Sequence, residues 1–345
     1  MNRFDYARAD SIGDAIAAAG TPGGSFLAGG TNLLDLMKIG AATPERLIDI
    51  SRLPLDRIED TDGGLRIGAM VRNADIARHP EVLARYPALA EALLSGASAQ
   101  LRNAATTGGN VMQATRCSYF QDPLSPCNRR EPGSGCGALG GRTRNHAVLG
   151  WDEGCIAVHP SDMCVALAAY DAVVEITGPE GTRDVPMATF HPLPDAAGAG
   201  TPALAEGEIV THIRLPDPGG MARNARYLKL RERTSFAFAL VSAAAALEIR
   251  DGVIVSARLA LGGVAARPWR CHEAEAMLVG MVPTRGSFTV AAAEALIGAT
   301  PSGDNAHKIE LARRIAVRAL DLAAAGTPDR LPALPASAFA GEDNG

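Results

Sequence analysis

The stretch SFLAGGTNLLDLMK, residues 25–38, decides how the N-terminal part of the chain folds. Its apolar start and its glycine pair predict a strand over Ser25–Gly30 that runs into a glycine turn. Apolar residues between Leu33 and Met37 then recur at helical spacing. A helix that begins after such a turn presents backbone N–H groups to an anion, for example a pyrophosphate. The alternative is a tight turn that needs glycine at a positive φ.

Further elements surround this stretch. On its N-terminal side, Ser11 is a candidate N-cap for a helix over Ile12–Ala19, and on the other side Arg46–Ile50 is strand-like. Three more elements are predicted next: a strand over Leu65–Met70, a helix over Ala74–His79 capped by Asn73, and a helix over Ala88–Leu94; a strand over Ala172–Thr177 follows later. Strands and helices therefore alternate through the first two thirds of the chain.

The final third has a different pattern. Three strand-like segments come first, and Asp251-Gly252 between the last two is a strong hairpin signal. Helical patterns follow at about 269–280, 288–299 and 306–325. Strands followed by helices predict a separate α+β domain. The predicted division is 1–52 and 53–222 for two α/β units, 223–330 for the C-terminal domain and 331–345 for a frayed tail, with an exposed loop over 191–204.

Composition excludes several classes of protein. The 345 residues carry a net charge of −5, which gives no electrostatic case for binding nucleic acid. No apolar run reaches the roughly 18 residues of a membrane span, and the first residues lack the basic and apolar regions of a secretion signal, so none is expected. Six cysteines are too few for a disulfide scaffold, so folding in a reducing compartment is expected. The chain by itself predicts a cytoplasmic location, with export on a signal-bearing partner as the alternative.

A second glycine strip, ATTGGNV at residues 105–111, has the same character as the first. Thr106 and Thr107 offer hydroxyls to phosphate or ribose oxygens, and Gly108-Gly109 allow close packing against a flat ring. Two such strips in one chain favour an extended cofactor that carries phosphates.

Four strips in fixed order carry a family resemblance: AGGTNLLDLMK, LRNAATTGGNV, HPSDMCVAL and GEIVTHIRLP. In that order and at those distances they resemble the FAD-binding subunit of the molybdenum hydroxylases, a family that includes xanthine dehydrogenase, carbon monoxide dehydrogenase and bacterial aldehyde oxidoreductases. The resemblance covers nearly the whole chain. It implies an α+β chain, with a two-subdomain FAD-binding fold of the vanillyl-alcohol-oxidase type followed by a C-terminal domain of three strands and helices.

The resemblance also implies which residues hold FAD. The first strip would surround the pyrophosphate, the second would follow the ribityl and diphosphate, and Asp162 would lie near the ribityl and adenosine side. Ile209 and Val210 resemble an apolar pair beside the isoalloxazine, and Lys229 matches a lysine near the flavin ring. For Asp162 a helix N-cap is the structural alternative, and for Lys229 a solvated strand lysine. The implied set is Ala28, Gly29, Gly30, Thr31, Asn32, Leu33, Thr106, Gly109, Asn110, Asp162, Ile209, Val210 and Lys229.

One segment departs from the family pattern. After Lys229 the family often has two arginines and an acidic residue, whereas this chain has Phe236 where the acid is expected. No contact beyond Lys229 is carried over from that segment.

The histidines are scattered, and for His159, which precedes Pro160, packing is favoured over lining the cofactor.

Four of the six cysteines run as C-x9-C-x8-C-x18-C: Cys117, Cys127, Cys136 and Cys155. This spacing matches neither common zinc knuckles nor ferredoxins, so by itself it leaves Zn²⁺, an iron–sulfur cluster and unligated thiols open. The loop is rich in arginine, which suits an anionic cluster. Cys164 lies in an apolar run and is expected to be a buried small residue, and Cys271 has no assigned role.

The cysteine loop extends the resemblance. It is similar to the loop of the FAD subunits of bacterial aldehyde oxidoreductases, which implies that the four cysteines hold a [4Fe–4S] cluster. The implied partners are a molybdenum-cofactor catalytic subunit and a [2Fe–2S] subunit, in a heterotrimer or a dimer of heterotrimers, with an external electron acceptor. Two other functions stay open: a stand-alone FAD-dependent reductase or oxidase of the same fold, and a non-redox interaction protein stabilised by zinc.

Overall fold

A computed structural model of the chain describes residues 1–194, 204–329 and 331. The predicted loop over 191–204 therefore lies largely outside the described residues, and the predicted tail 331–345 does so except for Leu331. Within the described ranges no helix is both long enough and apolar enough to cross a membrane.

The first unit is a small parallel sheet with two helices. Its elements are β1 (Asp5–Arg8), α1 (Ile12–Ala19), β2 (Gly24–Leu27), α2 (Leu33–Lys38) and β3 (Arg46–Asp49). Strand β3 lies between β1 and β2 and is parallel to both. The predicted N-cap is confirmed, since the Ser11 hydroxyl accepts from the Asp14 N–H at 3.0 Å. Strand β2 ends at Leu27, so Ala28–Gly30 belong to the turn between β2 and α2.

The second unit is built on a five-stranded antiparallel sheet in the order β4-β5-β8-β6-β7. Strand β8 is inserted between β5 and β6, although it comes after β7 in the chain, and no pattern above predicts it. The strands are β4 (Ile58–Thr61), β5 (Gly64–Gly68), β6 (Val173–Gly178), β7 (Gly181–Pro186) and β8 (Ile209–Leu215); the helices are α3 (Asn73–Ile76), α4 (Pro80–Arg85), α5 (Pro87–Ser95), α6 (Ala99–Ala104), α7 (Thr107–Val111), α8 (Ser118–Gln121), α9 (Asp162–Ala169) and α10 (Met187–Phe190).

One cap prediction in this unit is wrong. Asn73 was expected to precede a helix over Ala74–His79, but Arg72 occupies the N-cap position and Asn73 is the first residue of the shorter helix α3. The Asn73 N–H donates to the Ala105 carbonyl oxygen at 2.9 Å, and its side-chain oxygen caps nothing. This hydrogen bond between the Asn73 backbone and Ala105, in the second glycine strip, therefore fixes where helix α3 begins.

The C-terminal unit is a four-stranded antiparallel sheet, in the order β12-β11-β10-β9, with helices packed on it. The predicted hairpin is confirmed: Asp251 and Gly252 have φ values of 50° and 76° and join β10 to β11. The elements are a 3₁₀ helix (Gly219–Asn224), β9 (Ala225–Leu230), β10 (Val241–Arg250), β11 (Val253–Gly262), β12 (Trp269–Arg270), α11 (His272–Leu278), α12 (Arg285–Glu294) and α13 (His307–Ala324). This arrangement confirms the predicted α+β class, but the sheet has four strands and not the expected three, because the two-residue strand β12 pairs with β11.

Strand β10 joins the second and third units because both of its faces are buried. Ala243 and Ala245 face the cluster of the C-terminal helices, whereas Ala244 and Ala246 face the cluster that contains α5 and α9. Side chains alternate between the two faces of a strand, and methyl side chains let helices approach both closely. The strand thus fixes the C-terminal unit against α9.

Candidate cofactor cleft and cysteine cage

A cleft of about 1030 Å³ opens where the three units meet. This volume is at the upper end of the range of small-molecule sites, which suits an extended cofactor. The first unit contributes the glycine turn, the second contributes the start of α9 and the second glycine strip, and the C-terminal unit contributes the loop before β10. Residues of these three walls include Gly29, Gly30, Thr31, Asn32, Gly109, Asn110, Ser161, Asp162, Phe236 and Phe238.

The glycine turn has the backbone that only glycine adopts readily. Gly30 has a φ of +70°, so the tight-turn interpretation is confirmed, and the turn also lines the cleft. A Cβ on Gly29 would overlap the carbonyl oxygen of Ala104 and would lie 2.8 Å from its carbon. The turn is therefore pressed directly against the end of α6. Asn32 follows as the N-cap residue of α2, but its side chain makes no cap hydrogen bond.

Five buried polar atoms of the cleft wall have no hydrogen-bond partner among the described residues. Buried polar groups are nearly always paired in folded proteins, with protein or with ordered water, so such a cluster in one cleft suits a ligand that supplies the partners. Both acceptors and donors are present, as a cofactor with phosphates, hydroxyls and a polar ring system would require. The atoms are Asn32 Oδ1, Asn73 Oδ1, Arg116 Nε, His146 Nδ1 and His159 Nε2. Of these five residues the sequence analysis named Asn32 as an expected cofactor contact and weighed His159, for which it favoured packing; it did not consider Asn73, Arg116 or His146 as contacts.

The second glycine strip forms the opposite wall. The buried Thr106 caps α7 by accepting from the Gly109 N–H at 3.3 Å, so its hydroxyl is used within the protein. Asn110 lines the cleft, and its side-chain oxygen accepts from Gln113 at 2.6 Å and from the Ser161 hydroxyl at 2.7 Å. Gly109 and Asn110 are thus held rigidly at the cleft surface, while Thr106 supports them from behind.

Asp162 lies at the start of α9, but it is not the cap. The Ser161 hydroxyl accepts from the Cys164 N–H at 3.1 Å, so Ser161 is the N-cap and the cap alternative for Asp162 is wrong. The Asp162 carboxylate instead receives the Lys229 ammonium at 2.7 Å and the Tyr227 hydroxyl at 2.5 Å. Burial, together with the Asp162 charge, raises the pKa of Tyr227, which keeps that hydroxyl a donor.

Lys229 does not reach the cleft wall directly. Its side chain is 2% exposed and also donates to the Ser95 carbonyl oxygen at 3.1 Å. The solvated-lysine alternative is therefore wrong. Lys229 acts on the cleft through Asp162, whose carboxylate it orients and neutralises.

We expect Lys229→Met to lower the free energy of unfolding by about 3–5 kcal/mol, because it leaves Asp162 buried without its ammonium partner. The double variant Asp162→Asn/Lys229→Met should recover part of this loss, since the unpaired charge is gone. Chemical denaturation of the variants measures both values. A matched control is Arg250→Met, which breaks an exposed pair with Glu248 and should cost about 1 kcal/mol or less. A loss for Lys229→Met no larger than that of the control would contradict the expectation.

The other predicted residues lie away from the cleft surface. Ile209 and Val210, at the start of β8, are 2% and 4% exposed and pack in two different hydrophobic clusters. Ala28 and Leu33 flank the glycine turn without lining the cleft. The structure thus brings together seven of the predicted FAD residues at one surface: Gly29, Gly30, Thr31, Asn32, Gly109, Asn110 and Asp162.

The four predicted cysteine ligands line a second, much smaller cavity beside the cleft. Cys127 and Cys136 face each other across an isolated antiparallel bridge. Cys117 directly precedes α8, and Cys155 comes from the loop that leads back to α9. Cys127 and Cys155 are buried and the other two are half-buried. Residues separated by up to 38 positions therefore line one small cavity, as a ligand set would.

The surroundings of the cage suit thiolate sulfur. The Arg129 Nε–H and the Ala157 N–H both donate to Cys155 Sγ at 3.4 Å, and His146 Nε2 lies 3.2 Å from Cys117 Sγ. Donors of this kind stabilise metal-bound thiolates. Burial raises the pKa of Cys117 to about 11, so its sulfur keeps its proton at neutral pH unless a metal displaces it.

The distances between the cage sulfurs and the free volume between them limit which metal would fit. The ligand atoms of a tetrahedral zinc site lie about 3.8 Å apart, given Zn–S bonds of about 2.3 Å. Among the described residues, no three of these four sulfurs lie mutually within 4.8 Å. The cage is thus wider than a zinc site. Its free space is about 10 Å³, room for one water-sized sphere, so a cluster requires the side chains to move apart.

A compact group of possible ligands is formed instead by His159, Cys164 and His191, whose ligand atoms lie within 4.8 Å of one another. His159 Nδ1 accepts from the Ser161 N–H at 3.3 Å, so the neutral ring carries its proton on Nε2 and has no lone pair there for a metal. Burial lowers the pKa of both histidines, that of His191 to about 4, and both rings stay neutral. The rings pack at 4.0 Å between centroids, and Cys164 is fully buried as predicted. This group is a packing cluster, although His159 also lines the cleft.

Comparison with known proteins agrees with this geometry. Residues 2–218 match the family model of the FAD binding domain in molybdopterin dehydrogenase. Residues 226–323 match the model of the CO dehydrogenase flavoprotein C-terminal domain. Together the two models cover nearly the whole described chain.

Individual relatives extend over the same length. The aldehyde oxidoreductase FAD-binding subunit PaoB of Escherichia coli is 50% identical, over 91% of this chain and 96% of its own. The carbon monoxide dehydrogenase medium chain of Hydrogenophaga pseudoflava is 30% identical, over 93% of this chain and 97% of its own. A solved structure of carbon monoxide dehydrogenase from that organism superposes with a TM-score of 0.74, covering 94% of this chain and 98% of its own at 30% identity.

Proposed function

The chain belongs to the family of FAD-binding medium subunits of molybdenum hydroxylases, and we propose that it is the electron-transfer subunit of a molybdenum-containing aldehyde oxidoreductase. In this role it passes electrons from iron–sulfur centres through FAD to an external acceptor. The observation that carries the proposal is the position of the cysteine cage against the cofactor cleft, with Cys117 in the wall of both. A cleft and a cage that share a wall suit two redox groups that exchange electrons.

The cleft residues fit FAD. We propose that the glycine turn and the second strip hold the phosphates and ribityl, with Asp162 oriented by Lys229 and with Asn73, His146 and His159 as additional contacts. Bound FAD supplies the ability to collect electrons singly and deliver them in pairs. Of the other predicted residues, Gly29, Gly30, Thr31, Asn32, Gly109 and Asn110 are the proposed contacts, because they line the cleft. Ala28, Leu33, Thr106, Ile209 and Val210 do not line it, and we propose that they support the cleft wall from behind.

The cage residues fit a [4Fe–4S] cluster by chemistry. Four thiols converge, N–H donors lie against two of the sulfurs, and the surrounding loop is basic. We propose Cys117, Cys127, Cys136 and Cys155 as the ligands. In the present geometry the sulfurs are too far apart for zinc and the cavity is too small for a cluster, so either would need side-chain movement, and metal analysis distinguishes the two.

The proposed partners follow from the relatives' function as subunits. We propose that the chain assembles with a molybdenum-cofactor catalytic subunit and a [2Fe–2S] subunit in a heterotrimer or a dimer of heterotrimers. Aldehyde chemistry would then take place on the catalytic subunit. The proposed location is the cytoplasm, or the periplasm if a partner subunit carries an export signal.

Anaerobic mixing with an aldehyde tests the proposal against a stand-alone flavoenzyme. The assembled complex should bleach its flavin absorbance when an aldehyde is added, whereas the isolated FAD-loaded chain should not. Rapid bleaching of the isolated chain by the aldehyde would contradict the proposal and favour the stand-alone oxidase. Absence of bleaching in the complex, with all cofactors loaded, would also contradict it.

A further inference from the structure

The wall between the cage and the cleft contains one notable contact. Cys117 lines both cavities, and its sulfur lies 3.2 Å from His146 Nε2. His146 lines the cleft as well, and it is only 7% exposed. The imidazole therefore stands on the cleft side of the Cys117 sulfur.

The direction of this hydrogen bond depends on what the sulfur carries. A thiol can donate its S–H to the ring nitrogen. A thiolate that ligates a metal has no proton, so the only hydrogen available for a 3.2 Å contact is on His146 Nε2. If this contact is kept when Cys117 ligates a metal, His146 is the donor.

The C-terminal unit fixes His146 in this position. The Lys308 ammonium and the Asn305 side-chain amide donate to the His146 carbonyl oxygen at 2.8 and 3.0 Å. Both side chains are fully buried beside the start of α13, more than 150 residues from His146 in the chain. Lys308 also donates to the Asn145 and Gly263 carbonyl oxygens, so its three ammonium hydrogens are all used on backbone. A histidine backbone held this firmly keeps its ring against the sulfur.

We propose that His146 is a positioning residue that donates its Nε2–H to the Cys117 sulfur and thereby raises the reduction potential of the iron–sulfur cluster at the wall it shares with the flavin cleft. Reduction adds negative charge to a cluster and its thiolates. An N–H donor therefore stabilises the reduced form more than the oxidised form. The inference rests on the proposed cluster ligation.

His146 differs from the other sulfur donors of the cage. Arg129 and the Ala157 backbone both act on Cys155, and the backbone N–H groups of Tyr119 and Phe120 act on Cys117. Among the described residues, His146 is the side chain that donates to the sulfur that faces the cleft. Loss of the His146 donor should shift the reduction potential of the cluster through Cys117. The hydrogen bonds to Cys155 should remain.

The test is the cluster midpoint potential of the full chain in its native assembly, measured by EPR-monitored redox titration. His146→Phe removes the donor and should lower the potential by about 59 mV, a tenfold change in a one-electron equilibrium. His146→Gln offers an amide N–H and should return most of the way to the wild-type potential. His272→Gln alters an exposed histidine at the start of α11 and is the matched control, with no shift expected.

An unchanged potential in His146→Phe, or equal shifts in His146→Phe and His146→Gln, would overturn the proposal. If His146→Phe does not retain iron, His146→Ala removes the same donor without added bulk and carries the same expectation. Iron analysis of the wild-type protein distinguishes a failure of the proposed cluster from a failure of the proposed role of His146. Wild-type protein without a cluster would refute the proposed cluster and this inference together, whereas a cluster with an insensitive potential would refute this inference alone.

Discussion

The Cys127→Ser substitution is expected to remove iron from the chain while leaving FAD bound. Cys127 lines the cage and pairs across a bridge with Cys136, but it does not line the cleft. A serine hydroxyl is close in size to a thiol, yet it is a poor ligand for iron that prefers soft thiolate sulfur. The purified variant should therefore hold less than about a tenth of the wild-type iron and the same amount of FAD, by metal analysis and flavin absorbance.

The control for this experiment is Cys271→Ser. Cys271 is also buried, precedes α11 and does not line the cage. It should keep both iron and FAD. Wild-type iron content in Cys127→Ser would contradict the ligand assignment. Loss of FAD along with the iron, without global unfolding, would contradict the separation of cage and cleft.

The Gly29→Ala substitution should weaken FAD binding by roughly 10- to 100-fold. The new methyl group would overlap the Ala104 carbonyl oxygen, so either the glycine turn or the end of α6 must move. Overpacking of this kind costs about 1–3 kcal/mol, which corresponds to that range of affinity if the strain falls on the cofactor-binding conformation. Titration of the flavin-free chain with FAD gives the dissociation constants.

Gly13→Ala is the matched control for the glycine turn. Gly13 lies on the exposed side of α1, where the nearest atom to an added Cβ is 3.7 Å away. Alanine is favoured over glycine in a helix, so stability should stay the same or rise slightly while FAD affinity is unchanged. An affinity of Gly29→Ala within twofold of wild type would show that the turn does not form the FAD site.

Local patterns predicted local structure well. Helix α1 with its Ser11 cap, the hairpin at Asp251-Gly252 and the buried Cys164 all follow from spacing, turn chemistry and hydrophobicity within a few residues. The positive φ of Gly30 was likewise predicted from the local sequence. The four cysteines were proposed as ligands from the family resemblance, because their spacing alone left the metal open.

Contacts between distant segments could not be read from the sequence. Asn73 is a plausible cap by local rules, but its N–H pairs with Ala105 and its side chain faces the cleft. The approach of His146 to Cys117 depends on Lys308, and the burial of Lys229 depends on Asp162, each far away in the chain. Such contacts arise from the packing of units, for which a single sequence carries no periodic signal.

The most direct test of the account is quantification of flavin, iron and zinc in the wild-type chain after anaerobic purification with its partners. The account predicts about one FAD and about four irons in this chain, with no stoichiometric zinc. FAD with zinc, or with no metal, would contradict the cluster while leaving the flavin site in place. A chain without FAD would contradict the central claim that the cleft binds a flavin.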